Sequence, residues 1–479
     1  MISPGSQLWE AVRRRSNSST VDDAIDPNVI PYRSLLERAQ TKRREQAGGG
    51  LNEPVVLCEN SALERAAAIL AAAADGLPFF IVEVGAISEE EGKALLPLPK
   101  TSGDAGTTPD PNTVIPLQTN ALDPPFFFML EPSQSPPLCV RAVGRQTAGE
   151  GLKSRIDRLS ITDESRVLSL LDPISPGYPY VVCSSLLAGA QWIDAGDEQN
   201  VALQALLGGG VTHVEGPPDR VEELLSLCAE SDLNSLRYVV LHGPAPDAQF
   251  LLFAQEALQA AQCLRSMVSS RGERMEELSL LDVRPTDESI WLHGCEVSPR
   301  AYATWIKGCP GVRDARVIQS EKDYLECFVA LDGTWNPDAV GSRLQCLPSF
   351  ARPRAFYSVT GVAPPLSLVS PATLRERSAL LVSPGQTGVD DPVLQDVMRI
   401  WADVLKMEIS PDDSFTRLGG TSYQMTQVFM RIKEAFPVEI HFVDLYKNVR
   451  ASALAHFIKT QMERQGTLQN YLEKGSKAK

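Results

Sequence analysis

Apolar residues along the first 278 positions of the chain alternate between short continuous runs and helix-like spacing. The short runs have the β-branched and aromatic character of buried strands and lie at residues 79–84, 126–130, 180–182, 191–193 and 238–241. Segments with helical spacing fall between them, at residues 66–74, 201–207 and 220–227. This alternation predicts a layered α/β domain over residues 26–278 with a largely parallel sheet. The polar residues 1–25 are predicted to be a flexible N-terminus.

The apolar pattern becomes mixed over residues 279–380. A helix candidate, RAYATWIKG at residues 300–308, precedes strand candidates at residues 315–319 and 325–331. This mixture predicts a small α+β subdomain.

The carboxyl-terminal part of the chain has a helical pattern. Residues 381–390 are rich in Ser, Pro, Gly and Thr and are predicted to be a linker. From Pro392 the apolar positions recur at helical period, which predicts an all-α domain over residues 391–463. Its last helix is predicted at residues 452–462, and residues 464–479 are predicted to be a tail.

The segment LGGTSYQMTQVF, residues 418–429, joins a turn of small residues to one of these helices. Gly419 and Gly420 permit a tight turn and keep the next hydroxyl group accessible. Ser422 stands at the amino end of an apolar stripe at helical spacing, formed by Met425, Val428, Phe429, Ile432 and Phe436. Two interpretations follow from these residues alone. Ser422 is either a helix cap without chemistry or a residue to which a group is attached.

Residues 412–458 resemble the carrier (thiolation) domain of nonribosomal peptide synthetases. The shared features are an acidic loop before Phe415, the LGGxS signature, FP-V-E-I after the helix, a DLY helix and a final A-L-A helix. The resemblance implies a four-helix fold in which Ser422 accepts 4′-phosphopantetheine from coenzyme A, through a phosphopantetheinyl transferase. The arm would carry an aminoacyl or acyl group as a thioester. A helix amino end suits this role, because the phosphodiester meets unpaired N–H groups and the positive end of the helix dipole.

The region before the carrier resembles the adenylation domains of acyl- and aminoacyl-adenylate-forming enzymes. The matching segments keep the family's order and include IPYRSLLERAQ (30–40), SLLAGAQWI (185–193), VTHVEGPP (211–218), SLRYVVLHGPAP (235–246) and GCPGVRDARVIQ (308–319). The resemblance implies an adenylate-forming-enzyme-like α/β lobe followed by a smaller subdomain. In that family the lobe binds ATP and magnesium, and a lysine of the subdomain reaches the adenylate oxygens.

The motifs that perform adenylation are degenerate in this sequence. The family's phosphate loop, TSGSTGxPKG, follows a strand, but here FFFML is followed by EPSQSPPLC, with Leu138 at the position of the lysine. TSGDAGTTPD at residues 101–110 resembles that loop by letter, yet a poor strand precedes it and no lysine follows, so it is predicted to be a surface loop. Asp287 of the hinge motif is kept, whereas the family's terminal GK falls on Ser370 and Pro371. Because several charge-stabilising groups are missing, the lobe is predicted to be catalytically silent.

Composition narrows the classes of partner and compartment. The formal net charge is -15 and the pI is about 5.0, so the surface repels phosphate backbones and nucleic acid is not an expected partner. The nine cysteines form no CxxC pair, which indicates free thiols in a reducing compartment. No secretory signal and no membrane span are expected, and the predicted location is the cytoplasm. His213 and His456 are predicted to be packing or surface residues.

Four hypotheses about function stay open at the level of sequence. The main one is a carrier component of a secondary-metabolite pathway, similar to nonribosomal peptide synthetases, with a silent lobe as scaffold. Partner enzymes would load the Ser422 arm in trans and tailor the intermediate. The second is a truncated but active ligase that uses ATP and magnesium and loads its own carrier, supported only by TSGDAGTT. The third is a non-catalytic interaction scaffold, and the fourth is a fragment of a larger synthetase.

Overall fold

The chain forms two compact units in the computed structural model. The first comprises Met1–Glu83, Glu89–Cys309 and Arg343–Ala351, and the second comprises Val84–Ser88, Pro310–Ser342 and Arg352–Lys479. Within them the structure describes residues 3–18, 30–46, 54–59, 61–82, 89–96, 123–133, 136–196, 198–228, 233–246, 248–258, 261–278, 289–320, 324–333, 335–344, 346–361, 365–382, 392–405, 409, 415, 422–447, 451–468 and 471.

Helices and strands are numbered here in chain order over the described residues. The helices are α1 Pro4–Ser18, α2 Tyr32–Gln46, α3 Ala62–Ala74, α4 Glu89–Leu95, α5 Arg145–Leu159, α6 Tyr178–Ala188, α7 Gln199–Leu207, α8 Pro218–Ser226, α9 Ala248–Ala257, α10 Pro299–Lys307, α11 Pro337–Leu344, α12 Pro371–Glu376, α13 Pro392–Leu405, α14 Ser422–Ala435, α15 Phe442–Lys447 and α16 Ala451–Arg464. The strands are β1 Val55–Leu57, β2 Phe79–Ile81, β3 Pro125–Pro132, β4 Leu138–Gly144, β5 Arg166–Ser169, β6 Gln191–Asp194, β7 His213–Gly216, β8 Tyr238–His242, β9 Gln262–Ser269, β10 Gly272–Glu277, β11 Ile290–Leu292, β12 Cys295–Val297, β13 Val312–Gln319, β14 Leu325–Leu331, β15 Ala355–Val359 and β16 Ser378–Val382.

The first unit contains a four-stranded sheet of order β1-β2-β3-β4. Strands β1, β2 and β3 are parallel, and β4 is antiparallel to β3. Helix α3 contributes a continuous run of buried small and aliphatic residues, 66–73, and α1 and α2 pack against it. Alanine side chains permit this close approach of helices, because they fill little volume at the contact. The Phe79 ring meets Phe126 edge to face at 5.6 Å in the same core.

A six-stranded sheet of order β10-β9-β8-β7-β5-β6 forms the rest of the first unit's frame. Strands β6, β5, β7, β8 and β9 are parallel, and β10 closes the edge antiparallel to β9. Successive residues of one strand enter different apolar clusters: Val167 belongs to one and Leu168 to the other. Both faces are therefore covered, which is typical of parallel sheets. The predicted α/β class with a largely parallel sheet is confirmed.

The second unit contains a four-stranded mixed sheet and a helical domain. The sheet has the order β13-β14-β15-β16, in which β14 and β15 are parallel and the outer pairs are antiparallel. Asp314 in β13 accepts a hydrogen bond from the Leu366 backbone N–H at 2.7 Å, which fixes the segment before α12. Helices α13 to α16 enclose a separate apolar core, so the predicted all-α domain with four helices is confirmed.

Two predictions about local structure are wrong. Residues 180–182 belong to helix α6, although their continuous apolar run suggests a strand. The helix is buried on all sides and has no polar face, so its sequence carries no helical period; Pro179 in its first turn and Gly189 in a left-handed C-cap delimit it instead. The amino-terminal residues are not uniformly loose either, because Leu8 and Val12 of helix α1 are fully buried against the core.

The other predicted helices and strands of the described part occur where the pattern indicates. The strands predicted at residues 191–193 and 238–241 are β6 and β8, and the helix predicted from Pro392 is α13. Residues 101–110 and Asp287 lie outside the described residues. The domain limits inferred from composition stay predictions.

Candidate functional site

The candidate attachment residue, Ser422, is the first residue of helix α14. The side chains of the predicted apolar stripe point into the helical core, where Met425, Val428, Ile432 and Phe436 are almost completely buried. This packing fixes which way α14 faces and therefore where its amino end lies. The predicted position of Ser422 at a helix start is confirmed. Its side chain lies outside the described residues.

The ring of Phe415, which precedes α14 in the chain, belongs to the apolar core of the helical domain. This ring is fully buried and packs edge to face against Trp401 of α13, with ring centroids 5.1 Å apart. Only residues 416–421 separate Phe415 from Ser422. The glycine pair of LGGTS belongs to this stretch, which lies outside the described residues. The first N–H groups of α14 have no partner within their own helix, as at any helix start.

The arrangement at α14 can hold an anionic group. A helix start combines free backbone donors with the positive end of the peptide dipoles, which favours phosphate. The first turn of α14 has no acidic residue that would repel an anion. A phosphodiester at the amino end of α14 would therefore meet a favourable electrostatic environment.

The phosphate-loop position of the lobe is a short β-hairpin. Strands β3 and β4 remain paired up to Pro132 and Leu138, which leaves five residues, 133–137, between them. The Ser133 N–H donates to the Pro137 carbonyl oxygen at 3.0 Å and closes this connection. Leu138, at the position of the family's lysine, is fully buried. The five residues 133–137 include no glycine.

Ser370 and Pro371, which the resemblance aligns with the family's terminal GK, lie at the start of helix α12. Ser370 is the N-cap of α12, and its hydroxyl accepts a hydrogen bond from the Thr373 N–H at 3.1 Å. Pro371 occupies the first helical position, where its fixed φ suits the helix and its missing N–H is not needed. These two residues thus have a structural role that needs no cation.

The two histidines predicted to be packing or surface residues have those roles. His213 is fully buried in β7, where its ring nitrogens lie 2.7 Å from Thr212 Oγ1 and 2.8 Å from the Leu159 carbonyl oxygen. Burial lowers the pKa of His213. His456 is exposed on α16.

A buried ionic network in the first unit is absent from the sequence-based predictions. The Arg155 guanidinium group, completely buried on α5, donates to the carboxylates of Glu215 and Glu273 and, at 3.1 Å, to Ser184 Oγ. His242 Nε2 lies 3.0 Å from Glu215 Oε2. The sequence indicates this network only through charged residues that lie inside apolar segments, as in HVEG at residues 213–216.

The network keeps its charges despite burial. Burial by itself would raise the pKa of Glu215, but the adjacent Arg155 and His242 hold that pKa at about 2. Burial also opposes the charge on Arg155, but Glu215 and Glu273 raise the pKa of Arg155. Arg155 and Glu215 therefore form an ionised pair within the network, which joins α5 to strands β7 and β10.

Within the described residues, no three His, Cys, Asp or Glu side chains are grouped so that they could hold a metal ion. In the same part of the chain, no helix combines the length and apolar character that spanning a bilayer requires.

Comparison with known proteins places a family model over the helical domain. The model for the phosphopantetheine attachment site matches residues 395–458, which include Ser422. The chain therefore contains a phosphopantetheine attachment site of the carrier type.

Curated relatives are similar over limited parts of the chain. Phosphinothricin tripeptide synthetase PhsC of Streptomyces viridochromogenes is 27% identical over 194 residues, which is 37% of this chain and 17% of that protein. The non-canonical nonribosomal peptide synthetase FrzA of a Cladobotryum species is 35% identical over 94 residues, which is 19% of this chain and 9% of that protein. The chain thus matches less than a fifth of the length of each of these relatives.

Solved structures define the fold over nearly the whole chain. Holo-PA1221, an NRPS protein containing adenylation and PCP domains, has a TM-score of 0.52 at 14% identity, covering 95% of this chain and 98% of that one. The o-succinylbenzoate CoA synthetase MenE of Bacillus subtilis has a TM-score of 0.53 at 12% identity, covering 78% and 99%. The chain therefore combines the α/β fold of adenylate-forming enzymes with a carboxyl-terminal helical carrier domain. The expected fold class is confirmed.

Proposed function

We propose that this protein tethers a pathway intermediate as a thioester on a 4′-phosphopantetheine arm attached to Ser422. The observation that carries the proposal is the position of Ser422 as the first residue of α14 within the matched region 395–458. A phosphopantetheinyl transferase would transfer the arm from coenzyme A to the serine hydroxyl. The phosphodiester would then face the N–H groups of the first turn.

The proposed arm would let the domain carry a covalently bound intermediate between enzymes. An extended pantetheine arm spans roughly 20 Å, the length of about six extended residues. Its terminal thiol can present an aminoacyl or acyl group to several partner active sites in turn. Tethering raises the effective concentration of the intermediate without any new contact.

The preceding lobe is proposed to be a silent scaffold, so that partner enzymes load the arm in trans. Three features support silence: the five-residue connection between β3 and β4, buried Leu138, and the helix-capping role of Ser370 with Pro371. An adenylate site needs donors aimed at developing negative charge, and loss of one such donor typically costs about 2.7–4 kcal/mol.

The proposed partners are a phosphopantetheinyl transferase and loading and tailoring enzymes of a biosynthetic pathway. A cytoplasmic location accompanies this proposal. All nine cysteines are free thiols, as expected in a reducing compartment.

The test is the intact mass of the full chain after incubation with coenzyme A and a phosphopantetheinyl transferase. Wild-type protein is expected to gain the mass of one phosphopantetheine group, and Ser422→Ala is expected to gain none. Thr421→Ala is the matched control, because it removes the neighbouring hydroxyl and keeps Ser422; it should gain the same mass as wild type. A wild-type protein that stays unmodified, or a modified Ser422→Ala variant, would refute the assignment.

A further inference from the structure

The parallel sheet of the first unit has a point where the chain reverses its direction of winding. From β5 the chain passes to β6 on one side and then returns to β7 on the other side of β5. In open α/β sheets, ligands bind in the crevice outside the carboxyl ends of the strands at such a point. In this unit the edge of that crevice is the segment after β5, residues 170–177.

The hairpin formed by β11 and β12 lies directly on this segment. At its turn, His293 Nδ1 is 3.3 Å from Asp172 Oδ2. The Cys295 Sγ–H donates to the Ile174 carbonyl oxygen at 3.8 Å. Gly294 has a φ of 73°, and a Cβ on it would lie only 2.7 Å from Ser175 Oγ. The approach is therefore closer than a side chain at position 294 would permit without a shift of Ser175.

The same hairpin also reaches the connections that follow the neighbouring strands. A Cβ on Gly243, directly after β8, would lie 3.8 Å from Trp291 Cε3 of β11 and 3.7 Å from Pro218 Cδ of α8. The hairpin thus lies beside the segments that directly follow β5 and β8. Its Leu292 and Cys295 side chains are almost completely buried.

An ion pair holds the Asp172 side of this contact. Arg220 on α8 donates to Asp172 Oδ1 at 3.0 Å and to the carbonyl oxygens of Leu170 at 3.0 Å and Gly196 at 3.3 Å. Asp172, itself buried, is therefore held in one orientation and presents its second oxygen to His293. The buried carboxylate links the sheet edge to the hairpin turn.

We propose that the β11–β12 hairpin is the resident occupant of the ligand crevice of this lobe, held there by the Asp172–His293 pair. The inference rests on the proposed function in treating the lobe as silent, and it supplies a physical cause beyond missing motifs. The crevice at the strand ends is filled by the chain itself. A nucleotide would have to displace the hairpin from a buried contact before it could bind.

The thiol of Cys295 reports whether the hairpin stays in place. The full chain is treated with N-ethylmaleimide, and the alkylation of each cysteine is followed by peptide mass mapping. Because a buried thiol reacts only after local opening, Cys295 should react about tenfold or more slowly than the half-buried Cys58 and Cys346. Addition of Mg·ATP should leave the Cys295 rate unchanged. Alkylation of Cys295 as fast as Cys58, or acceleration by Mg·ATP, would overturn the proposal.

A variant tests the Asp172–His293 pair itself. His293 has a φ of 50°, a conformation that asparagine tolerates, so His293→Asn removes the imidazole with little backbone strain. Cys295 should then react several-fold faster, while Cys183, buried in α6, stays protected and shows that the lobe is folded. An unchanged Cys295 rate would refute the holding role of the pair. If Cys183 also becomes reactive, the variant is unfolded. The proposal is then tested by the Cys295 alkylation rates of wild type with and without Mg·ATP. Holo formation at Ser422 is measured separately, so the two proposals fail independently.

Discussion

Glu215 is the carboxylate that contacts both Arg155 and His242 in the buried ionic network of the first unit. Its carboxylate lies between Arg155 and His242 and is completely buried. The pKa of Glu215 in the folded state, about 2, lies below its ordinary value of 4.5. A depressed pKa means that the stabilisation is fully present above pH 4.5 and is lost as the pH falls from there toward 2.

Replacement of Glu215 by Gln should therefore destabilise the first unit. The variant leaves the buried Arg155 with one carboxylate partner fewer, and breaking a buried ion pair costs about 3–5 kcal/mol. Urea unfolding is measured by tryptophan fluorescence. We expect the variant to have a lower urea midpoint than wild type at pH 7. We also expect its midpoint to depend less on pH between 4.5 and 2.

The control for this variant is Glu276→Gln on the edge strand β10, which also carries Glu273 of the network. Glu276 is partly exposed and pairs with the exposed Arg274, so the same chemical change should alter stability by less than about 0.5 kcal/mol. Equal midpoints for the two variants would contradict the structural weight given to the network.

At the scale of elements, the segment after α16 is tied to the carrier core. The Gln465 side-chain amide pairs with the backbone of Glu439, accepting from its N–H at 3.1 Å and donating to its carbonyl oxygen at 3.3 Å. The Tyr471 hydroxyl donates to the Asp396 carboxylate on α13, and its ring lies 5.3 Å from Phe436. The matched region ends at residue 458, so these contacts extend the domain beyond it.

Removal of the Tyr471 hydroxyl should loosen the first turn of α13. Tyr471→Phe keeps the ring and deletes the hydrogen bond to the Asp396 carboxylate, a loss of about 1.5–3 kcal/mol. Hydrogen exchange in the full chain should show faster exchange of the amides after Asp396. Tyr238→Phe, which deletes a 3.4 Å hydroxyl contact with Ser160 in the other unit, is the control and should leave those amides unchanged. Unchanged exchange in both variants would show that the tie carries no stability.

Sequence patterns predict those elements whose signal is local. A proline at the start and a periodic apolar face predict helix α13, and short apolar runs predict strands β6 and β8. Helix α6 does not, since burial on every side removes the polar positions from which a period is read. Helix α1 is hidden for the opposite reason: its few apolar residues are diluted by arginine and serine.

For the whole molecule, the central prediction is that the protein does not load itself. Holo protein given ATP, magnesium and radiolabelled amino acids should bind no label at Ser422, and ATP–pyrophosphate exchange should stay at background. A transferase supplied with acyl-coenzyme A should install a loaded arm directly, because that route bypasses the lobe. Ser422→Ala is the control for label bound elsewhere. Clear exchange with any acid would favour the alternative of an active ligase.

The two candidate sites differ in how far sequence could predict them. The features around Ser422 lie within a few tens of residues, so turn, helix and stripe can be identified together. The contact of Cys295 with Ile174 joins residues 121 positions apart, and that of Arg155 with Glu273 joins residues 118 positions apart. No local period encodes such distant pairings, and only the folded sheet brings them together.

The hairpin over the strand ends also changes what a binding measurement on this lobe would report. A tethered occupant competes with every free ligand, and the apparent dissociation constant is the intrinsic one divided by the fraction of open molecules. If roughly one molecule in a hundred were open, a ligand of about 10 μM intrinsic affinity would register at about 1 mM. The apparent affinities from a ligand screen on this protein would therefore reflect the opening equilibrium of the hairpin as well as the intrinsic affinity of each compound.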